Sequence, residues 1–285
     1  MPAFPDQPSR ARLFEDNRRN WDDRAAVHVA AGYGIADLLA DPQAVPATLA
    51  PDVDRLGDLT GLDVIHLQCH LGTDTVGLAR LGARRLVGLD LSGESLRRAQ
   101  AIADEVRADI EFVEANVYDA REAVTGDFDL AFTSLGVLCW LPDVTAWARI
   151  VASLLRPGGR FVIRDDHPMF MTIGDDVTDG LRVEQPYLEL PDPLTWDDDT
   201  SYVDAGPDAP RITHGRNHQW NHGLGQIVTA LLRAGLVLDA LEETTTSAWC
   251  PWPDLMCDDG DGGYRLHDRP ERLPLQFVVE AHRPA

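Results

Sequence analysis

Residues 62–92 read LDVIHLQCHLGTDTVGLARLGARRLVGLDLS, and no other stretch of the chain restricts its possible folds as strongly. An apolar run of strand length (62–67) meets a turn, Gln68-Cys69-His70-Leu71-Gly72. A short helical pattern starts at Thr73 or Asp74, and a second β-rich run (86–89) ends in an acid, Asp90. Strand, tight turn, helix, strand and acid make a parallel β-α-β unit. Its chemistry follows from its parts. Backbone N–H groups at the turn and the helix start are free to face a polar ligand. A carboxylate at the tip of the second strand can accept both hydroxyls of a ribose, so the unit is suited to a nucleoside cofactor.

The remaining chain extends this pattern. Before the unit, 13–39 has helical periodicity broken at Gly32 and Gly34, which predicts two helices. After it, 93–108 is an amphipathic helix with Ser92 as N-cap, 110–114 a third strand and 128–134 a fourth. A helix over 143–155 stops at Arg156-Pro157-Gly158-Gly159, and 160–164 is the fifth strand. From 165 to 217 the chain is rich in Pro, Asp and aromatics, too long for a simple connection and read as a functional insertion. A helix from His222 to Ala234, a strand over 236–241, an irregular loop over 249–273 and a last strand over 275–281 complete it. The expected fold is α/β: a doubly wound, Rossmann-like, mostly parallel seven-stranded sheet with an antiparallel last strand. The expected organisation is a single domain with a helical cap (13–40), a core (60–165), an insertion over the site (166–217) and closing elements (218–282).

Charge and cysteine usage narrow the partners. A formal net charge of −22 argues against a nucleic-acid backbone, which is bound by neutralising phosphates with Lys and Arg. No apolar run reaches the roughly 18 residues needed to span a membrane, and no secretory signal is visible at the start. Four cysteines (Cys69, Cys139, Cys250, Cys257) form no CxxC pair. These features lead us to expect a cytoplasmic location and a small-molecule partner, with the oligomeric state left open.

Read with its residues, the arrangement resembles a class I S-adenosylmethionine (SAM) dependent methyltransferase, firmly over 60–165 and more loosely over 215–282. Val87 to Ser92, VGLDLS, is similar to the second motif of that family, and Leu154 to Ile163, LLRPGGRFVI, to its helix-to-strand turn. Phe128 to Asp143, FDLAFTSLGVLCWLPD, looks like the fourth motif. The resemblance implies Asp90 on the ribose hydroxyls, Leu91 and Val117 against adenine, Asn116 accepting from the adenine amino group, and Ser134 and Leu135 beside the cofactor. The first motif departs from the pattern: His66, Gln68 and His70 replace an acid and two glycines, and Gly72 is kept. Backbone groups from Gln68 to Gly72, Cys69 and His70 included, then border the methionine part. HLQCHLG resembles a bacterial branch of small-molecule methyltransferases.

The implied activity is methyl transfer from SAM to a small acceptor, possibly flat or aromatic, with S-adenosylhomocysteine (SAH) as product. His222 and His167 are candidate bases, with Trp220 packing on the acceptor. His218 is a further base candidate, and Trp196, Tyr202, Trp249 and Trp252 are possible walls of the acceptor pocket. A SAM-binding protein that transfers no methyl group is an alternative. A nicotinamide-dependent oxidoreductase shares the β-α-β unit, but Gln68 and His70 fill the sites where glycines would admit a pyrophosphate. A zinc hydrolase using His218 and His222 would have Gln219 where the catalytic glutamate belongs.

Overall fold

The computed structural model describes residues 7–174, 176–178 and 180–285. Helix α1 (Gln7–Ala30) is followed by α2 (Ile35–Ala40) and α3 (Val53–Leu56). The alternating core is β1 (Asp63–Leu67), α4 (Thr73–Arg80), β2 (Arg85–Asp90), α5 (Gly93–Val106), β3 (Glu111–Glu114), α6 (Ala120–Ala123), β4 (Phe128–Ser134), α7 (Val144–Leu154) and β5 (Leu155–Asp166). The insertion carries β6 (Leu194–Asp197) and β7 (Arg216–Gln219), an antiparallel pair. Then come α8 (Leu224–Arg233), β8 (Val237–Thr244), β9 (Thr246–Ser247), β10 (Met256–Asp258), β11 (Tyr264–Leu266) and β12 (Gln276–His282).

Seven strands form one sheet in the order β3-β2-β1-β4-β5-β12-β8. The first five are parallel, and β12 runs antiparallel to both β5 and β8. Strands covered on both faces need apolar residues on both, and β1 supplies buried Val64, Ile65 and Leu67, with His66 as its one buried polar side chain. One face packs on α7 and α8 through Trp147, Val151, Ile227 and Leu231. The other packs on α4 and α5 through Val76, Leu78, Ile102 and Ala103, with Leu38 and Leu49 from the N-terminal segment.

The sequence of strand pairs fixes the position of the site. Leu67 lies beside Leu89 and Thr133, and Ser134 beside Arg164, so β1, β2, β4 and β5 end at one edge. Strand order reverses between β1 and β4, and at such a switch point a crevice opens at the carboxyl edge.

Three features differ from the sequence expectations. Strand β5 begins at Leu155, because the Pro157-Gly158-Gly159 stretch stays extended and exchanges backbone hydrogen bonds with Arg283. Helix α8 begins at Leu224, so Trp220 and His222 lie on a linker after β7 and not on a helical first turn. The expected irregular loop over 249–273 instead builds the small sheet β10-β11-β9 over an apolar cluster of Phe170, Trp252, Met256, Leu266, Leu273 and Leu275. Strands of two or three residues leave no readable periodicity.

Candidate functional site

A cavity of about 980 Å³, its open mouth included, lies at the switch point. Its floor is the turn after β1, its two ends are Asp90 and Asp74, and its mouth is closed by Phe14, Asn17 and Trp21 of α1 with Tyr33 and Tyr202. Every sequence-nominated cofactor residue except Gly72 lines it: Gln68, Cys69, His70, Asp90, Leu91, Asn116, Val117, Ser134 and Leu135.

The turn explains why the missing glycines are tolerable. Gln68 and His70, where the family pattern has glycine, adopt φ of 58° and 49°, the left-handed conformation a glycine would take freely. Each such residue costs on the order of 1 kcal/mol, offset here by side-chain contacts. Gln68 donates from Nε2 to the Val137 carbonyl at 3.2 Å. His70 Nδ1 meets Ser95 Oγ at 3.0 Å and its Nε2 meets His28 Nδ1 at 2.7 Å. Gly72, at φ 68°, is the N-cap of α4 and sits under the cavity floor. A Cβ there would press on Ala99 and Phe112 at 3.0 Å.

Asp90 ends β2 with both oxygens already holding the turn in place: Oδ2 accepts from the His70 N–H and Oδ1 from the Ser92 N–H, both at 2.8 Å. Each oxygen keeps a second lone pair. Burial, partly offset by those N–H groups, pushes its pKa up to about 6. Asn116 accepts from the Tyr118 N–H at 3.1 Å and so caps the short 3₁₀ turn after β3, a structural task alongside its place on the wall. Burial raises the Cys69 thiol well above its usual range, which removes it as a nucleophile.

At the other end the absent first-motif acid is replaced by a small polar network. His66 is fully buried, its pKa pushed down to about 3 by desolvation, so it is a neutral imidazole. Its Nδ1 meets Thr75 Oγ1 at 2.9 Å and its Nε2 meets Ser134 Oγ at 3.2 Å. Ser134 Oγ in turn donates to Asp74 Oδ2 at 3.0 Å, and Thr48 Oγ1 donates to Asp74 Oδ1. Thr48 is held through its carbonyl by Arg164, which also forms a buried ion pair with Asp52 at 2.8 Å. Beside this network, Gln68 Oε1 is buried without a hydrogen-bond partner among the described residues. Asp74 could have been found by counting, since it is the first acid after Gly72, on the opening turn of α4.

The residues nominated as catalytic are placed elsewhere. His222 is buried with both ring nitrogens occupied: Nδ1 pairs with Glu189 at 2.7 Å and Nε2 with the Leu141 carbonyl at 2.7 Å. His218 is likewise tied to Thr195 at 2.9 Å and Asp16 at 3.1 Å. His167 accepts from the Met169 N–H at 3.0 Å on Nδ1, while its Nε2 stands 2.8 Å from Glu243 without hydrogen-bond alignment. None of the three lines the main cavity. Trp220 and His222 both line a smaller neighbouring hollow that shares Gly136 with the main cavity. Trp252 is in the small-sheet core and Trp196 on the exposed β6. Sequence analysis nominated neither Trp140 nor Trp21 for the site. Both line the cavity, their rings 5.2 Å apart. It also passed over Asp165, whose carboxylate collects the N–H groups of Gly136, Val137, Leu138 and Asp166 and thereby shapes the loop after β4.

Sheet order and the strand-end crevice match the Rossmann-like methyltransferase fold. Residues 65–161 match the family described as a methyltransferase domain. A SAM-dependent methyltransferase from Mesorhizobium loti superposes with a TM-score of 0.56 at 25% identity, covering 83% of this chain and 98% of that one. One from Listeria monocytogenes, described as putative, gives 0.59 at 17% identity over 84% and 97%, a likeness of fold alone. Among curated proteins, a demethylmenaquinone methyltransferase of Lactococcus lactis is 35% identical over 123 residues, 42% of this chain and 48% of that protein. A ubiquinone biosynthesis O-methyltransferase of Xanthomonas oryzae is 34% identical over 106 residues, 37% and 44% of the two lengths. The chain thus spans about half the length of the curated relatives it matches. No helix among the described residues is long and apolar enough to cross a membrane.

Proposed function

We propose that this protein transfers a methyl group from SAM to a small-molecule acceptor and releases SAH. The observation that carries the reading is one cavity with a carboxylate at each end, the half-buried Asp90 at the tip of β2 and the buried Asp74 on the first turn of α4. When bound, SAM supplies a methyl group already activated by a sulfonium. Asp90 accepts from the ribose hydroxyls through the lone pairs that His70 and Ser92 leave free. Leu91, Val117, Leu141 and Phe14 enclose the adenine, and Asn116 accepts from its amino group. Asp74 and the unpaired Gln68 Oε1 take the ammonium of the methionine part, which the neutral His66 cannot do. The turn that holds a pyrophosphate in nucleotide-dependent oxidoreductases is filled here by the side chains of Gln68 and His70, which favours the methyl donor.

Acceptor alignment falls to the aromatic mouth. Trp21, Trp140 and Tyr202 wall a flat acceptor and exclude water, and orientation supplies much of the rate once the methyl group is activated. The names of the curated relatives, quinone-pathway methyltransferases, point the same way. Four free thiols fit a reducing, cytoplasmic setting. Calorimetry with SAH and with NADH tests the cofactor: micromolar SAH binding with none of NADH is expected, and the reverse would overturn the proposal.

A further inference from the structure

Beside the Asn116 end of the main cavity lies an outer hollow of about 850 Å³, its wide mouth included. Three elements converge on it. Helix α1 brings Arg10 and Phe14, one turn apart on the same face, and α7 brings Arg149 and Ile150. The turn after β3 closes it with Asn116 and Tyr118. Phe14 and Asn116 wall both spaces, so the two share a partition.

Two arginines on one hollow stand out in a chain of net charge −22, whose field repels anions. Neither forms an ion pair among the described residues, and Asp119, the one acid on the wall, forms none either. Arg10 is held by rings: its Cζ lies 4.7 Å from the centroid of Tyr118 and 5.6 Å from that of Phe14. Its Nε is buried with no hydrogen-bond partner among the described residues. Burial raises the Tyr118 phenol, and Arg10, in contact with that hydroxyl, works against the rise. The hydroxyl is otherwise engaged by Asp143, donating to its carbonyl at 3.1 Å and accepting from its N–H at 3.0 Å. Arg149 is exposed and makes no hydrogen bond among the described residues. The hollow thus sets two positive charges against one negative, beside the apolar walls of Phe14 and Ile150.

We propose that this outer hollow binds a small aromatic carboxylate, held by Arg10 and Arg149 with its ring along Phe14 and Ile150, and that its occupant tightens the hold on the cofactor next door. The site stands on the hollow alone. The coupling rests on the methyl-transfer reading above, which sets adenine against Phe14 and Asn116. A carboxylate matches the planar fork of a guanidinium. A neutral ring would leave both charges to water, and a bare inorganic anion would leave the apolar walls uncovered. Coupling follows from the shared partition. An occupant that pins Phe14 removes part of the ordering cost that adenine would otherwise meet. By linkage, each ligand then changes the affinity of the other by the same factor.

The test titrates the full-length protein calorimetrically with benzoate, benzyl alcohol and acetate at millimolar concentration and low salt, with and without saturating SAH. Benzoate should bind about tenfold more tightly than either analogue, one lacking the charge and the other the ring. Arg149→Gln, at an exposed helical position, should weaken benzoate about tenfold while melting temperature and SAH affinity hold, and Arg149→Lys should restore part of the loss. Saturating benzoate should tighten SAH about fivefold, and SAH should tighten benzoate equally. Equal binding of benzoate and either analogue, or no binding of benzoate, overturns the site. Benzoate that binds Arg149→Gln as it binds wild type sits in the aromatic mouth instead and overturns it as well. Benzoate that competes with SAH, or leaves its affinity unchanged, overturns the coupling. Failure of wild type to bind SAH would instead sink the methyl-transfer reading, while benzoate titration of the SAH-free protein still decides the site.

Discussion

At the scale of single residues, the two ends of the cavity can be separated by ligand chemistry. Methylthioadenosine carries the ribose and adenine of SAM without its amino-acid part. Asp90→Ala should therefore weaken both SAH and methylthioadenosine by about 10- to 100-fold, the loss of a charge-assisted hydrogen bond worth roughly 1.5–3 kcal/mol. Asp74→Asn should weaken SAH by a similar factor and leave methylthioadenosine unchanged. Parallel losses for both ligands in Asp74→Asn would show that Asp74 only supports the loop. A pH effect accompanies this. Asp90 is raised to about 6 by burial, and the ribose hydroxyls bind its ionised form, so SAH affinity should decline as pH falls through about 6. Calorimetry at pH 5 and pH 7.5 reads it directly.

His222 gives the contrasting case. Removing an imidazole that bridges Glu189 and the Leu141 carbonyl leaves a buried carboxylate with only Gln226 and an unpaired carbonyl. His222→Ala should cost about 2–4 kcal/mol of stability, visible in denaturant melts, with SAH affinity per folded molecule unchanged. Normal stability with lost turnover would return it to the catalytic group.

At the scale of elements, the cap is coupled to the turn by a line of hydrogen bonds: Ser95 Oγ, His70, His28 and Ser201 Oγ, with the two imidazoles 2.7 Å apart. One of the two facing nitrogens must donate and the other accept, so the accepting ring is neutral. Burial depresses both, His28 to about 3, with Arg24 adding to the effect. The sign follows. Above about pH 6.5 neither ring carries a second proton in the folded or the unfolded chain, and the line contributes fully. As pH falls below that value the unfolded or undocked chain gains protons that the docked cap refuses, and docking weakens. Asp90 and Asp166, whose pKa values are raised, work in the opposite direction on global stability. A local probe is therefore needed. Hydrogen exchange over α1 should accelerate between about pH 6.5 and 5, and His28→Phe should remove that acceleration. Exchange in α1 that ignores pH would dismiss the relay.

The same elements show what the sequence could and could not carry. Strand β4 and the N-cap Ser92 were readable because they depend on neighbours in the chain. The parallel order also followed from alternation of strand and helix. The placement of His222 did not, since whether 216–222 is strand, linker or helix depends on β6 pairing with it from some twenty residues upstream. Asp74 and Asp166 were hidden for a related reason. Their hydrogen-bond partners are distant in sequence, Thr48 and Ser134 for one, Trp249 for the other.

At the scale of the whole molecule, the cavity is where three separately encoded parts meet: the turn after β1, the helix α1, and the insertion through Tyr202 and Ser201. Helix α1 reaches both neighbours through polar side chains. Asp22 accepts from Ser92 Oγ at 2.7 Å at the start of α5, and Asn17 exchanges two hydrogen bonds with the backbone of His218 on β7. A ligand filling the junction should therefore stiffen all three together. At about a hundredfold excess over Kd, SAH binding should add roughly 2.7 kcal/mol to stability by mass action alone. Its distribution is the sharper expectation. Hydrogen exchange should slow over 14–28, 68–74 and 198–204 in concert, and stay unchanged in β9, β10 and β11, whose apolar cluster has its own core. Asn17→Ala should break that concert by freeing α1 from β7, leaving SAH protection at 68–74 while losing it over 198–204. Protection confined to 68–74 in the wild type would mean that the cap and the insertion close independently of the cofactor.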